Sequence, residues 1–290
     1  MAESVAVIIP SLNSPIIDQV IMAVLMQKGL ATPPEIIVVG KDDAGLITPQ
    51  TGVRFVDTGE PVWASVARNR GTAVTDADIL IYLDSDCLPT PGWLAAHLAA
   101  HRAGRAVVSG SVLAQGVNYW HLTYNLTLFH EILSQNKAGP RDFLATLNLS
   151  VARRVIDKVG GMSETVNRVE DVDWTTRMRR ANIQPYFWPE AAVVHQHNRT
   201  TWQAVWRDCA LSGYHMRRLR LQHRDLLESP VILRYPRLVW WLSPLIALAA
   251  TGRIVAKRPY FLRRFWYLLP AIYLTKIAWC WGASSTTEPA

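Results

Sequence analysis

The run Leu83-Asp84-Ser85-Asp86 closes an apolar stretch that begins at Ile79. On an extended segment, side chains two apart point the same way. Asp84 and Asp86 can therefore face one site beyond the carboxyl end of a parallel strand, where open α/β sheets bind ligands. Two hard oxygen ligands there suit Mg²⁺ or Mn²⁺ clamping a diphosphate; the plainer reading has Asp86 capping the Pro-rich turn that follows and Asp84 merely exposed. Glu170-Asp171 is a second acidic site. Asp171, Trp174 and Met178 share one helical face, which turns Asp171 toward the sheet. There an ionised Asp removes a hydroxyl proton as that oxygen attacks, although acidic residues in a first turn also complement the helix dipole without any function. His195, in His195-Gln196-His197-Asn198, offers an imidazole that beside carboxylates favours Mn²⁺ or Mg²⁺ over Ca²⁺. Arg68-Asn69-Arg70-Gly71 offers guanidinium and amide groups for a phosphate or a sugar, or forms an ordinary helix surface.

These residues need a scaffold, and the apolar pattern supplies one. Val5–Ile9, Glu35–Val39 and Ile79–Leu83 are rich in branched side chains and end in Pro, Gly or Asp, the pattern of buried parallel strands. Between the first two, Ile17, Val20, Ile21, Val24 and Leu25 fall at helical spacing with Gly29 as a stop, giving a βαβ unit. Further helices are expected over 63–73, 93–103, 117–135, 153–159 and 170–182. Tyr186–Trp188 and Ala191–Val194 are expected as late strands. In 117–135, Leu122, Leu126, Phe129 and Leu133 share one face with Asn and Thr on the others.

Length and composition bound the class. The 290 residues are 50% apolar and 18% charged, with mean hydropathy +0.08, which excludes disorder and places part of the chain against lipid. The net charge of +7 is uneven, since residues 207–290 carry 13 Lys/Arg against 4 Asp/Glu and five of the twelve Trp. A basic, aromatic and apolar segment suits an anionic membrane surface; nucleic acid is the competing reading, disfavoured because its charges are interleaved with long apolar runs. That segment holds two apolar blocks, 238–250 with Pro244 and 265–282 with Pro270 and Lys276. Both fall short of the ~20 residues of a comfortable span, so interfacial or re-entrant helices compete with a transmembrane hairpin. Cys87, Cys209 and Cys280 lack metal-type spacing and form no disulfide framework. Val5–Ile9 stops at Pro10, too short for a signal segment.

Taken in order, the motifs resemble the family 2 glycosyltransferases, inverting enzymes of GT-A fold. Val5 to Asn13 looks like the family's opening strand and loop, Ala67 to Gly71 its donor-side helix motif, and Leu83 to Asp86 its metal and diphosphate motif. Asn148-Leu149-Ser150 with Arg153, then Gly160-Gly161-Met162, matches the acceptor-side stretch, Glu170-Asp171 the motif bearing the general base, and Pro189 to His195 the closing strand. The resemblance covers about residues 4–200 and gains specificity from collinearity. It implies an α/β GT-A domain over 1–206, with a sheet flanked by helices, followed by a basic, apolar, helical membrane-associating region over 207–290. Implied donor contacts are Pro10, Asn13, Asp42, Asp43, Arg68, Asn69, Asp84, Ser85 and Asp86; acceptor-side residues are Asn148, Glu170 and Trp174. The implied metal ligands are Asp84, Asp86 and His195, for Mg²⁺ or Mn²⁺, and the implied base is Asp171.

Two departures matter. Family members often place an Asp directly after the second strand, whereas Gly40 and Lys41 here precede Asp42-Asp43, which leaves open the nucleotide and the aspartate that meets its base. Processive members carry Gln-x-x-Arg-Trp, and this chain has Gln203-Ala204-Val205-Trp206-Arg207, so one transfer is expected rather than polymerisation. The expected activity is hexosyl transfer from a nucleotide-diphospho-sugar to a glycan or lipid-linked hydroxyl at the cytoplasmic face of the membrane. The alternatives are transfer to a polyprenyl phosphate held by Arg217, Arg218 and Arg220, and a silent sugar-nucleotide-binding protein.

Overall fold

The computed structural model describes residues 3–28, 32–166 and 168–289. In chain order the elements are β1 (Val5–Leu12), α1 (Ile17–Leu25), β2 (Glu35–Lys41), β3 (Val53–Asp57), α2 (Ala64–Ala73), β4 (Ile79–Leu83), β5 (Cys87–Pro89), α3 (Trp93–Arg102), β6 (Val107–Val112), α4 (Tyr119–Phe129) and β7 (Gly139–Pro140). There follow β8 (Asn148–Ala152), α5 (Arg153–Val159), α6 (Glu170–Arg180), β9 (Tyr186–His195), α7 (Trp202–Gln222), α8 (Pro236–Trp241), α9 (Ser243–Lys257), α10 (Tyr260–Arg264) and α11 (Leu269–Ser284). Two compact units divide this chain. One comprises residues 1–113 and 132–196; the other comprises 114–131 and 197–290. The sequence-based limit after Trp206 differs from this division, in which α4 groups with the later helices.

The first unit is a sheet of order β3-β2-β1-β4-β8-β6-β9-β5, with β7 also on β9. The three expected apolar runs are its parallel heart: β1 pairs in parallel with β2 and with β4. Ala6–Ile9, Ile36–Val39 and Ile79–Leu83 are buried throughout, each large branched side chain contributing about 1.5–3 kcal/mol. α1 buries Ile17, Val20, Ile21 and Val24, as its spacing requires; the expected stop at Gly29, and Leu30, lie outside the described residues. The strand β8 runs antiparallel to both β4 and β6. The two late strands are one, β9, whose register against β6 shifts between Ser109 and Ser111. Gly40 permits the closest approach in the sheet: a Cβ there would stand 1.8 Å from the Ser11 carbonyl oxygen, and its φ is +144°. Only glycine fits, which explains the residue that displaces the acidic pair from the end of β2.

The second unit is helical. α7 and α11 meet backbone to backbone, because a Cβ on Gly213 would lie 2.0 Å from the Trp279 carbonyl oxygen and one on Gly282 1.7 Å from that of Ala210. α4 is shorter than expected and is buried on its polar side too. Thr123 donates to Tyr119, Asn125 to Gln115, and Thr127 shares a bond with Thr275, so burial of these groups is compensated. Leu133, expected on this helix, instead bridges to Val112 in the first unit. Neither apolar block is one long helix: the first breaks at Leu242 between α8 and α9, and the second into a 3₁₀ turn at 266–268 and α11. Among the described residues no helix is long and apolar enough to cross a membrane.

Candidate functional site

The candidate residues of the first unit lie at the carboxyl ends of β1, β2, β4 and β9, on α2 and α6, and at the start of β8. The Asp84-Ser85-Asp86 segment is a turn rather than the extended strand that the spacing argument assumed. Asp84 donates its N–H to Leu147, and the Cys87 N–H closes the turn on the Asp84 carbonyl at 3.0 Å. The cause is long-range, since Cys87 must pair with His195 across β5 and β9. Within this turn Asp84 meets Arg68 and Asp86 meets His195. Ser14 Oγ donates to the Ser85 carbonyl at 2.7 Å, fastening the loop after β1 to this turn, a role that the sequence reading missed.

Asp84 belongs to an ion triad centred on a buried guanidinium. Arg68 projects from the buried face of α2 with its side chain 4% exposed, donating to Asp84 Oδ1 at 2.6 Å and to Glu170 Oε1 at 3.0 Å. Burial alone pulls the guanidinium pKa down, but Asp84 and then Glu170 outweigh it, and the net shift is upward. A buried Arg held by two carboxylates stays charged and fixes both. It thereby joins the end of β4 to the start of α6, rather than standing open as a donor contact.

Asp171 follows Glu170 on α6, with the Val172 N–H donating to its Oδ1 at 2.8 Å. Burial, then the charge of Glu170, raises its carboxyl from 3.8 to about 7. An acid of that strength exchanges protons efficiently at neutral pH. Val169, just before α6, holds φ +59°, a left-handed conformation that is an outlier for a β-branched residue and concentrates at functional sites. Three acidic residues in the first turn and three arginines in the last complement the dipole of α6.

Asp86 gathers with Cys87 and His195, one ligand atom from each lying within 4.8 Å of the others. His195 Nε2 is 3.5 Å from Asp86 Oδ1. Burial, followed by the charges of Asp86 and Asp84, pushes the Cys87 thiol well above its usual range, so it stays protonated and donates to Asp86. One hard carboxylate and one imidazole suit a divalent cation. Of the expected ligand set, Asp86 and His195 come together and Asp84 is held by Arg68. Cys87 was invisible as a neighbour because strand register is not written in local sequence.

At the rim of β1 and β2, Asn13 holds φ +53° and exchanges two bonds with Asp43: its Nδ2 donates to Asp43 Oδ2 at 2.7 Å and its Oδ1 accepts the Asp43 N–H at 2.8 Å. The Asn13 bond, then Lys41, hold the exposed Asp43 carboxyl below its usual range. Asp42 accepts from the Ile47 N–H with one oxygen, while the other is buried with no hydrogen-bond partner. Pro10 lies within β1 opposite Val39.

Three expected ligand contacts are structural instead. Asn148 is fully buried; its Oδ1 accepts from Trp93 Nε1 and His97 Nε2, and its Nδ2 donates to Ala191 and Ser111, which exhausts its capacity for an acceptor. Burial pushes His97 down to about 3, keeping it neutral within this network. Trp174 is also fully buried, edge-on to Tyr82 and donating to the Gly160 carbonyl. Asn69 spends its amide on Met162 and Glu164, pinning the loop that precedes α6. Arg153 donates to the carbonyls of Ala77 and Thr75.

The model of glycosyl transferase family 2 matches residues 6–160, the stretch that builds the strand ends, the Asp84–Asp86 turn and Arg68. Pre-mycofactocin glycosyltransferases of two Mycobacterium tuberculosis strains, CDC 1551 / Oshkosh and ATCC 25618 / H37Rv, are 27% identical over 212 residues, covering 67% of this chain and 44% of theirs. The chain thus spans less than half the length of these curated relatives. The mannosyltransferase PcManGT of Pyrobaculum calidifontis, solved with GDP-Man and Mn²⁺, shares the fold at a TM-score of 0.61 and 17% identity, over 95% of this chain and 86% of that one. With more than half of its length matched and the motifs gathered at the strand ends, this chain belongs to glycosyl transferase family 2.

Proposed function

We propose that the chain transfers one sugar, with inversion, from a nucleotide-diphospho-sugar to a hydroxyl of a glycan or lipid-linked acceptor. The observation that carries this is the Asp84–Arg68–Glu170 triad, which ties the strand-end turn to the helix start bearing Asp171. Asp171 accepts the acceptor's hydroxyl proton as that oxygen bonds to the anomeric carbon and the bond from this carbon to the diphosphate oxygen breaks. Arg68 holds Glu170, and with it the first turn of α6, while its charge opposes the upward shift of Asp171. Asp43, exposed and presented by Asn13, is the carboxylate available to a nucleotide base. A Mg²⁺ or Mn²⁺ ion held by Asp86 and His195 supplies positive charge to a departing diphosphate when bound. The GDP-Man and Mn²⁺ of the Pyrobaculum structure support a nucleotide-sugar donor and a divalent ion.

Asp171→Asn tests the proposal: nucleoside diphosphate release from a panel of UDP-, GDP- and TDP-sugars falls by about 100-fold or more, while nucleotide affinity stays within about twofold. Equal loss of both removes the base assignment.

A further inference from the structure

The second unit exposes apolar surface that its own packing does not use. In α9 the exposed positions recur in pairs, Pro244-Leu245, Leu248-Ala249, Gly252-Arg253 and Ala256-Lys257, while Ser243, Ala247, Thr251 and Ile254 face inward. This is one stripe of a 3.6-residue period. Its first half is apolar and its second half ends in cations. Leu245 and Leu248 are 64% and 62% exposed, and the stripe is preceded by Leu238, Trp240, Leu242 and Trp241, the last 71% exposed. Leu262, Trp266 and Tyr267 add a second exposed apolar group around α10, beside Arg263 and Arg264. A recess of 180 Å³ is lined by Pro236, Arg237, Trp240, Trp241 and Ser284.

Trp and Leu side by side, bordered by Arg and Lys, are what an interfacial helix presents to a bilayer: indoles sit at headgroup level and cations meet anionic phosphates. A protein interface also enriches Trp and Arg around an apolar centre depleted of charge, so side-chain types alone do not separate the two. The flanking charge decides between them. Arg237, Lys257, Arg263 and Arg264 are exposed cations, as is Arg253, which pairs with Glu228 at 3.5 Å, whereas residues 229–287 contain no Asp or Glu. We infer that α8, the exposed stripe of α9 and the α10 turn lie in the headgroup region of an anionic leaflet, such as the cytoplasmic face of a cell membrane, without crossing it.

This inference stands apart from the chemistry of the first unit, and flotation of the full chain with vesicles tests it. The wild type rises with phosphatidylcholine vesicles containing about 30 mol % phosphatidylglycerol, rises poorly with phosphatidylcholine alone, and loses binding when salt is raised to about 0.5 M. Trp241→Ser/Leu245→Ser/Leu248→Ser weakens partition at least about tenfold. Arg253→Glu/Lys257→Glu/Arg263→Glu weakens binding to anionic vesicles and leaves the weak binding to neutral ones. Circular dichroism at matched temperature checks that both variants, altered only at exposed positions, remain folded. Asp171→Asn rises as the wild type does. A wild type that stays with the soluble fraction, or a folded triple Ser variant that rises equally well, overturns the inference. So does self-association through this face without vesicle binding, which would assign the stripe to a protein contact.

Discussion

The raised carboxyl of Asp171 has a thermodynamic consequence opposite to the usual effect of mutating a charged site residue. Its pKa moves from 3.8 to about 7 on folding, through burial and then Glu170. The folded state therefore binds more protons than the unfolded state between those values, and stability falls as pH rises across that window. At about 1.4 kcal/mol per unit, the shift sets a ceiling of about 4 kcal/mol at pH 8. Asp171 keeps partial exposure to solvent, and screening there lowers the expected contribution to about 2–3 kcal/mol. Asn is nearly isosteric and its Oδ1 can still accept the Val172 N–H. Asp171→Asn is then more stable than wild type at pH 8, by about 3–5 °C in Tm, and the two converge near pH 4. Thermal scans of metal-free protein between pH 4 and pH 8 measure this. A gap that is constant with pH, or one in which the variant is the less stable at pH 8, refutes the burial argument for this carboxylate.

Other perturbations follow from the same geometry. Arg68→Met leaves Asp84 and Glu170 facing one another uncompensated, so it costs about 3 kcal/mol in urea unfolding and raises the pH at which activity appears, because Arg68 lowers the Asp171 pKa; Arg68→Lys recovers part of both. Asn148→Ala strands the Trp93 and His97 donors in the core and destabilises by about 2–4 kcal/mol without changing nucleotide affinity per folded molecule. His195→Ala weakens Mn²⁺ binding, read by electron paramagnetic resonance, at least about tenfold while metal-free nucleotide binding is retained.

What could be read from sequence was what local physics decides. Branched apolar runs ending in Pro, Gly or Asp are buried strands whatever surrounds them, and β1, β2 and β4 lie where those runs lie. The helix over Arg153–Val159 stops at its glycine as expected. What escaped was set by distant partners. The spacing of Asp84 and Asp86 suggests a shared face only if the segment is extended, and the pairing of Cys87 with His195 folds it into a turn. Asn148 and Trp174 have types that suit a ligand contact, but contacts from α3, β6, β9 and Gly160 make them core residues. The long helix α7 was missed because its apolar positions are diluted by arginines and its buried side is completed by glycine against α11. The Thr and Asn on the other faces of α4 find partners inside the second unit, which the spacing of its leucines does not show.

The central claim is that the strand-end turn of the first unit receives a nucleotide diphosphate with a divalent ion. Calorimetric titration of a panel of nucleoside diphosphates, with and without Mn²⁺, into wild type and Asp84→Ala/Asp86→Ala addresses it most directly. The account predicts Mn²⁺-dependent binding of one nucleotide by the wild type and its loss in the folded variant. A well-folded wild type that binds none of them, or a variant that binds as the wild type does, contradicts it.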